Sequence, residues 1–555
     1  MFELISSHHF SQDLQDQYPL ISFDSSSQSS ELIISNRQEN SQISAPELDW
    51  YLQNTQADEA TKLANLHRLF QNKLAIFDHA PFKEYSLEVG NDLLLIGSDS
   101  PTAQDFIQKA QNEGFNPSLL DAQKIQHISG KIGSFIALLH DGEEISFSQA
   151  VLFIHDENLP KFLGILSIQD FHSPEEVLAL LKTRLGNYTY KTTTLYTPSL
   201  CQYHQRRPDK NGEGFCHKCV NVCPSFGVTK DDSIMELIFS QVDCMGCGGC
   251  VATCPTGALD FAPYTMDCLI QSLRFYKDTQ ILLIPENFLS LLDEINIPKH
   301  ISPLIIPREK FPSEAHLLAI AQESGNSFIF FSPIISRPSQ EAIKLVNDIY
   351  QTLFQTDALY VANDIETLQT LWDKPKSIIQ YSYTPSPQES KRKHFAERLI
   401  FMIKDGDFGQ VESGESGEMI RYGEIKIDED KCTLCNSCVG ACNVNSLIAN
   451  SKKLTLEYNP SLCTTCGYCV PSCPEDAISL HLNGIRLAPQ YFTYKTMAKD
   501  SLFSCIECGK PFATSKSIEK IKSMMGGHFA DDPIKLRTLE CCADCKVKLM
   551  LEGIK

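Results

Sequence analysis

The chain has 555 residues, 42% hydrophobic and 21% charged, a composition that excludes collagen-like, coiled-coil or largely disordered architecture and predicts roughly three to five domains at ~100–200 residues each. Forty-eight Lys and Arg against 69 Asp and Glu leave a net charge of −21, which disfavours broad electrostatic capture of nucleic acid or anionic lipid. No apolar run approaches the ~20 residues of a membrane-spanning helix, and residues 1–10 lack the basic, apolar and small-residue succession of a secretory signal, so the expectation is a cytoplasmic chain without a membrane span.

Twenty-two cysteines are clustered, and none precedes Cys201. In a reducing compartment such clusters read as metal ligands. The cysteine-free start divides into a mixed region, 1–85, and an α/β region, 86–190. In the first, residues 21–47 with the serines of 25–30 read as a loose linker. The spacing of Leu63, Leu66, Phe70, Leu74 and Phe77 then predicts a helix with one face against a neighbouring domain. In the second, the apolar run 93–96 with Gly97 and the stretch 102–113 predict strand, turn and helix. With Gly130, Gly133 and the strand 151–154, this segment resembles the flavin-binding domain of heterodisulfide-reductase-like proteins. Where a dinucleotide fold places glycines, however, stand Ser98, Asp99, Ser100 and Pro101, and Asp99 would repel a pyrophosphate. A degenerate Rossmann-like domain without FAD is expected.

Residues 191–265 hold the first ligand-rich module. Cys244, Cys247, Cys250 and Cys254, the last followed by Pro255, have the spacing of a bacterial ferredoxin run, with Gly246, Gly248 and Gly249 permitting tight folding about a cubane cluster. Upstream, Cys216, Cys219, Cys223 and Pro224 form the end of a second run with Glu213 in place of its first cysteine. Cys201 is read as the displaced first ligand, separated by a polar loop insertion. The alternative leaves Cys201 free and the site with three irons, or completed by Glu213, His217 or solvent. On interlocked ligation, Cys201, Cys216, Cys219 and Cys254 hold cluster one, and Cys244, Cys247, Cys250 and Cys223 hold cluster two.

Residues 266–385 alternate apolar strands at 281–284, 304–306 and 328–331 with helices near 313–323 and 340–355, a second α/β domain. It resembles small hydrogenase-linked subunits that relay electrons to heterodisulfide reductases, but no cysteine between Cys268 and Cys432 could hold their cluster, so a docking or spacer role is expected. Cys268 reads as a buried core thiol and His316 as a partly buried helix residue rather than a ligand. In 386–420 the basic run Lys391, Arg392, Lys393 and His394 is expected to start a helix as a solvated face, followed by a flexible acidic join over 405–418.

The second module spans 421–485. Cys432, Cys435, Cys438 and Cys442 precede Cys463, Cys466, Cys469, Cys473 and Pro474, and seven of the eight ligands repeat those of the first module at a constant offset of 219 residues. Such constancy predicts two copies of one dicluster unit. Cys432, Cys435, Cys438 and Cys473 then hold cluster three, and Cys463, Cys466, Cys469 and Cys442 hold cluster four. Asn443 departs from the proline usual after the fourth cysteine. In 486–555, the pairs Cys505/Cys508 and Cys542/Cys545 make a zinc-ribbon-like tetrathiolate site. Zinc is expected rather than a mononuclear rubredoxin-like iron because no glycine follows the second pair, with Cys541 as a competing thiol.

The fold class expected is therefore α+β multidomain: two bacterial dicluster ferredoxin modules, two α/β domains and a terminal knuckle domain. Cys201, His204, Arg206 and Arg207, the paired modules, and the segment from Phe503 through Cys505, Cys508, Gly509, Lys510 and Phe512 resemble the large ferredoxin-type proteins that proteobacteria encode beside formate dehydrogenases. That resemblance spans roughly residues 90–555 and implies an electron carrier or maturation partner for such a dehydrogenase; separately, with no nucleophile elbow, phosphate loop or zincin motif in the sequence, no independent catalysis is expected. Three readings follow: a four-cluster carrier serving a redox partner protein, an assembly or scaffold factor for a metalloenzyme, and a flavin-dependent oxidoreductase subunit.

Overall fold

The computed structural model describes residues 45–81, 83–154, 162–385, 390–413 and 418–552, together with four short parallel strands before them. Those strands run in the order Ile21–Ser22, Phe2–Ile5, Leu32–Ser35, Ile43–Ser44; the serine-rich 25–30 lies outside the described residues.

The first α/β domain is a parallel sheet in the order Ile165–Ser167, Gln149–Leu152, Asp92–Ile96, Asn116–Leu120. Its helix Pro101–Asn112 starts on the expected turn, and Ser100 Oγ caps it by accepting from the Ala103 N–H at 3.2 Å. Asp99 is engaged by Gln104 Nε2 at 2.7 Å. A three-stranded antiparallel sheet, Ile125–Lys131, Ser134–Leu139 and Glu144–Phe147, packs its apolar face on the other side.

In the second α/β domain the parallel order is Ile301–Ile306, Gln280–Pro285, Phe328–Phe331, Leu359–Ala362. These strands are apolar apart from Gln280, Ser302 and Tyr360 because both faces are covered. Ile281 and Leu283 face the core shared with the first ferredoxin module, whereas Leu282 and Ile284 face Leu63, Leu66 and Phe70 of the helix Glu59–His79. The apolar face expected to meet a neighbouring domain does so: the helices Pro46–Gln53 and Glu59–His79 cover one side of the sheet in the region 266–385. Polar bonds fix that seating. Asn72 Nδ2 donates to the Ile305 carbonyl at 2.7 Å, and Tyr264 and Ser272 hydroxyls donate to Asn72 Oδ1 at 2.7 and 2.8 Å.

The basic run at 391–394 also departs from expectation. It begins the helix Lys391–Ile403, with Ser390 as its cap, but the run is not solvated: Arg392 is 2% exposed and His394 7%. Lys391 Nζ bonds the carbonyls of Ala252 and Cys254 and pairs with Glu314 at 2.9 Å, so the run ties the first ferredoxin module to the second α/β domain. Farther along the helix, fully buried Arg398 donates to Glu323 at 2.6 Å, Gln322 at 3.1 Å and the Tyr383 carbonyl at 3.1 Å. Of the acidic join, 414–417 lie outside the described residues, and the chain is tied on either side of them. Gln410–Val411 pairs with Ile485–Arg486, and the Met419 and Ile420 N–H groups donate to Glu341 at 2.6 and 2.8 Å.

The repeat extends from ligands to backbone. The hairpin Val228–Asp231/Glu236–Phe239 and the helix Lys218–Val222 recur 219 residues later as Leu447–Asn450/Thr455–Tyr458 and Ser437–Ala441. The strand Lys495–Lys499 extends the second hairpin into the terminal domain, where Leu502–Ser504 pairs with Pro511–Thr514 ahead of three helices.

Candidate metal centres

Each ferredoxin module gathers its cysteines from loops that the small helices and hairpins bring together. One cavity of about 340 Å³ is lined by Cys201, Cys216, Cys219 and Cys254. A second, about 330 Å³, is lined by Cys432, Cys435, Cys438 and Cys473, and a third, about 390 Å³, by Cys442, Cys463, Cys466 and Cys469. The remaining quartet meets around Cys250, whose thiol is pushed up to about 12 by burial and then by Cys244, Cys247 and Cys223. Glu213 and His217 do not line the cavity that contains Cys201.

The same crowding acts in every quartet. Burial first, then Cys254, raises the Cys216 thiol to about 12, and burial with Cys432, Cys435 and Cys473 raises Cys438 to about 12. Cys469 is also raised, by burial and then by Cys463, Cys466 and Cys442. Four anionic sulfurs in a dry cavity are unfavourable without a cation, and iron supplies that cation once the thiol protons leave. The donor sets thus fit 4Fe–4S clusters, which take four thiolates each.

Hydrogen bonds to sulfur strengthen the fit. The 3-10 turn Pro198–Leu200 delivers Cys201, as Pro460–Leu462 delivers Cys463, and in both the N–H two residues on reaches the thiol at 3.4 Å. Behind these turns stands a shared local sequence, Tyr-x-Pro-Ser-Leu-Cys, at Tyr196–Cys201 and Tyr458–Cys463. This signal, absent from the spacing argument, could have identified Cys201. In the quartet of Cys223 and Cys244, the Thr193 hydroxyl donates to Cys244 Sγ at 2.9 Å, and Thr194 Oγ1 lies 3.9 Å from Cys250 Sγ. Gly248 is required there for close approach: its φ is +78°, and a Cβ would stand 2.2 Å from Phe311 Cβ.

The quartets form a succession. Cys250 contributes to raising Cys219 across the first module, and Cys438 contributes to raising Cys469 across the second, in each case behind burial. Between modules, Gln202 lines both the Cys201 cavity and the Cys463 cavity. Basic side chains stand beside them. Lys218 lines the first cavity, its amine brought down to about 7 by burial and by Arg421, and Arg206 lines the cavity of Cys466.

In the terminal domain the sulfurs of Cys505, Cys508, Cys542 and Cys545 all lie within 4.8 Å of one another. Gly509 at φ +72° closes the first knuckle, where its N–H donates to the Cys505 carbonyl at 2.8 Å. Desolvation opposes ionisation of Cys505, but the N–H groups of Cys542, Cys508 and Glu507 bring its thiol down to about 6. Cys541, 1% exposed, instead donates its S–H to the Arg537 carbonyl at 3.3 Å, which sets it apart from the four. Cys268 is fully buried and bonded by Thr265, a core thiol. His316 is a core residue as well, 4% exposed and edge-on to Phe311, at the side of a cleft of about 1060 Å³ that also touches Asp260 and Arg274.

Comparison with known proteins agrees with the two modules. Residues 214–258 match a family model described as a 4Fe-4S dicluster domain, and residues 424–474 match another of the same description. The first match begins at Gly214, beyond Cys201, and the second takes in all eight cysteines of its module. Over 67 residues, 12% of this chain, the sequence is 37% identical to a Halobacterium salinarum protein named as a "Putative dimethyl sulfoxide reductase iron-sulfur subunit". That match spans 21% of the relative's own length. The chain thus carries two 4Fe–4S dicluster domains, and among the described residues no helix is long and apolar enough to cross a membrane.

Proposed function

We propose that this chain is a cytoplasmic electron-transfer protein holding four 4Fe–4S clusters and one structural zinc, and that it relays single electrons to or from a partner oxidoreductase. The observation that carries the reading is Gln202, which belongs to the walls of cavities in both modules and so joins two dicluster units into one succession. The ligand sets are those of the four quartets, with Cys505, Cys508, Cys542 and Cys545 for zinc. A 4Fe–4S cluster accepts and releases one electron at a potential anywhere from roughly −700 to +450 mV, depending on hydrogen bonds to sulfur and on exposure.

The protein's own contribution is placement and tuning. Buried N–H and hydroxyl groups bond the sulfurs, the Arg206 guanidinium supplies fixed positive charge beside Cys466, and apolar walls from Leu237, Leu259, Leu456 and Leu480 exclude water. The short similarity to an iron–sulfur subunit and the resemblance to ferredoxin-type proteins encoded beside formate dehydrogenases both support an oxidoreductase partner, formate dehydrogenase or its maturation machinery among them. The cytoplasm suits twenty-two cysteines that form no disulfide among themselves. Anaerobic titration with dithionite tests the reading: about four electrons per chain are taken up and returned to an oxidised dye. Uptake of about two or fewer, with the metal content intact, contradicts a four-cluster relay.

A further inference from the structure

We propose that Arg206, carried on the insert of the first module, sets the reduction potential of the cluster held in the second module by Cys442, Cys463, Cys466 and Cys469. This rests on the relay reading and adds to it a residue that acts across the module boundary. Two oddities of the sequence meet at this point, the insertion between Cys201 and Cys216 and the asparagine that replaces proline after Cys442. Arg206 Nη2 donates to Asn443 Oδ1 at 2.5 Å, while Asn443 Nδ2 donates to the carbonyls of Cys201 at 3.0 Å and Ser199 at 3.2 Å. Proline at 443 could form none of these bonds. The insert is held by further contacts with the second module: Gln202 donates to Thr464, and the Phe215 ring lies 5.0 Å from that of Tyr468.

The clasp aims a cation at sulfur. Arg206 Nη1 reaches Cys466 Sγ at 3.8 Å, and its guanidinium carbon stands 4.8 Å from the Tyr468 ring centre. Arg206 is only 8% exposed, and among the described residues no carboxylate pairs with it. A buried guanidinium without a counter-ion is unfavourable, and the anionic group within its reach is the four-thiolate site itself. One added electron makes that site more negative by one charge. A fixed positive charge and an N–H···S bond stabilise the reduced form more than the oxidised form and raise its potential. Tyr468 and Asn443 hold the guanidinium in plane, so Arg206 is a positioning and tuning residue rather than a ligand.

The test uses full-length protein, reconstituted anaerobically with iron and sulfide, in redox titrations followed by electron paramagnetic resonance. Arg206→Gln is expected to keep about sixteen irons and to move one of four midpoints to a more negative potential, leaving three in place. The displaced signal is the one whose line shape changes in Cys466→Ser. Arg206→Lys, which keeps the charge but not the planar fork, is expected to show a smaller shift in the same direction. If Arg206→Gln loses a cluster outright, Arg206→Lys with full iron decides, and an unshifted midpoint there overturns the inference. Unchanged midpoints in both variants, or a shift in a signal that Cys466→Ser leaves alone, also overturn it while the relay reading stands. A wild-type protein without four reducible signals would defeat the relay reading instead.

Discussion

Cys201→Ala is expected to lower the iron content from about sixteen to about fifteen per chain and to produce a three-iron signal in the oxidised protein. The expectation follows from the cavity. Cys201 joins Cys216, Cys219 and Cys254 in its wall, whereas Glu213 and His217 are not among its lining residues, so neither of those two side chains takes over the vacated position. Cys268→Ala is the control. That thiol is buried against Thr265 in the apolar core, and its loss is expected to lower stability and leave the iron count unchanged. Full retention of iron in Cys201→Ala, measured beside that control, would remove Cys201 from the ligand set.

Removing zinc is expected to unfold the terminal domain and spare the iron. The buried cluster there consists of Cys505, Cys541, Cys542 and Cys545, with Phe512 and Leu549 packed against it, and among the described residues the helical region adds only Ile518 and Leu539 as further buried apolar side chains. Ile521, Met524, Val547 and Leu551 of its helices are exposed. So little apolar burial cannot hold three helices, whereas a structural zinc contributes about 10–16 kcal/mol of apparent binding free energy in small metal-dependent domains. Cys508→Ala should therefore lose about one zinc and the amide-exchange protection of Ser515–Met525 and Ala543–Glu552. Protection that survives without metal would mean that the domain folds on packing alone. Because Thr514 and Ser517 hydroxyls donate to the Thr433 carbonyl at 3.1 and 3.0 Å, unfolding would also loosen one wall beside Cys432 and Cys435.

Much of this arrangement was legible in the cysteine spacing, because cluster ligation imposes fixed short separations that survive in the linear chain. The repeat at 219 residues and the grouping of Cys505, Cys508, Cys542 and Cys545 are of this kind, and the strands and helices of the α/β domains were legible from their own strong periodicity. Cys201 sat at the edge of legibility. Its distance from Cys216 suggested an insertion, but the matching turns before Cys201 and Cys463 are the more specific signal.

What was not legible depends on tertiary contact. The charges of Lys391, Arg392 and His394 read as a solvated face, yet the carbonyls of Ala252 and Cys254 with the Glu314 carboxylate hold Lys391, the carbonyls of Pro255 and Arg421 hold Arg392, and His394 accepts from buried Arg398. The helix Glu59–His79 showed an apolar stripe, but nothing local names the sheet more than two hundred residues away that it covers. Likewise Asn443 appeared only as a missing proline. Its partner Arg206 lies 237 residues earlier, so the pairing is visible only once the two modules are placed together.

Whether a single chain holds four clusters and one zinc is decided by iron, acid-labile sulfide and zinc per chain in anaerobically purified, unsubstituted protein. About sixteen irons, about sixteen sulfides and about one zinc are expected. About eight irons, or zinc in excess of iron, would contradict that content, since at least one module would then hold no pair of clusters.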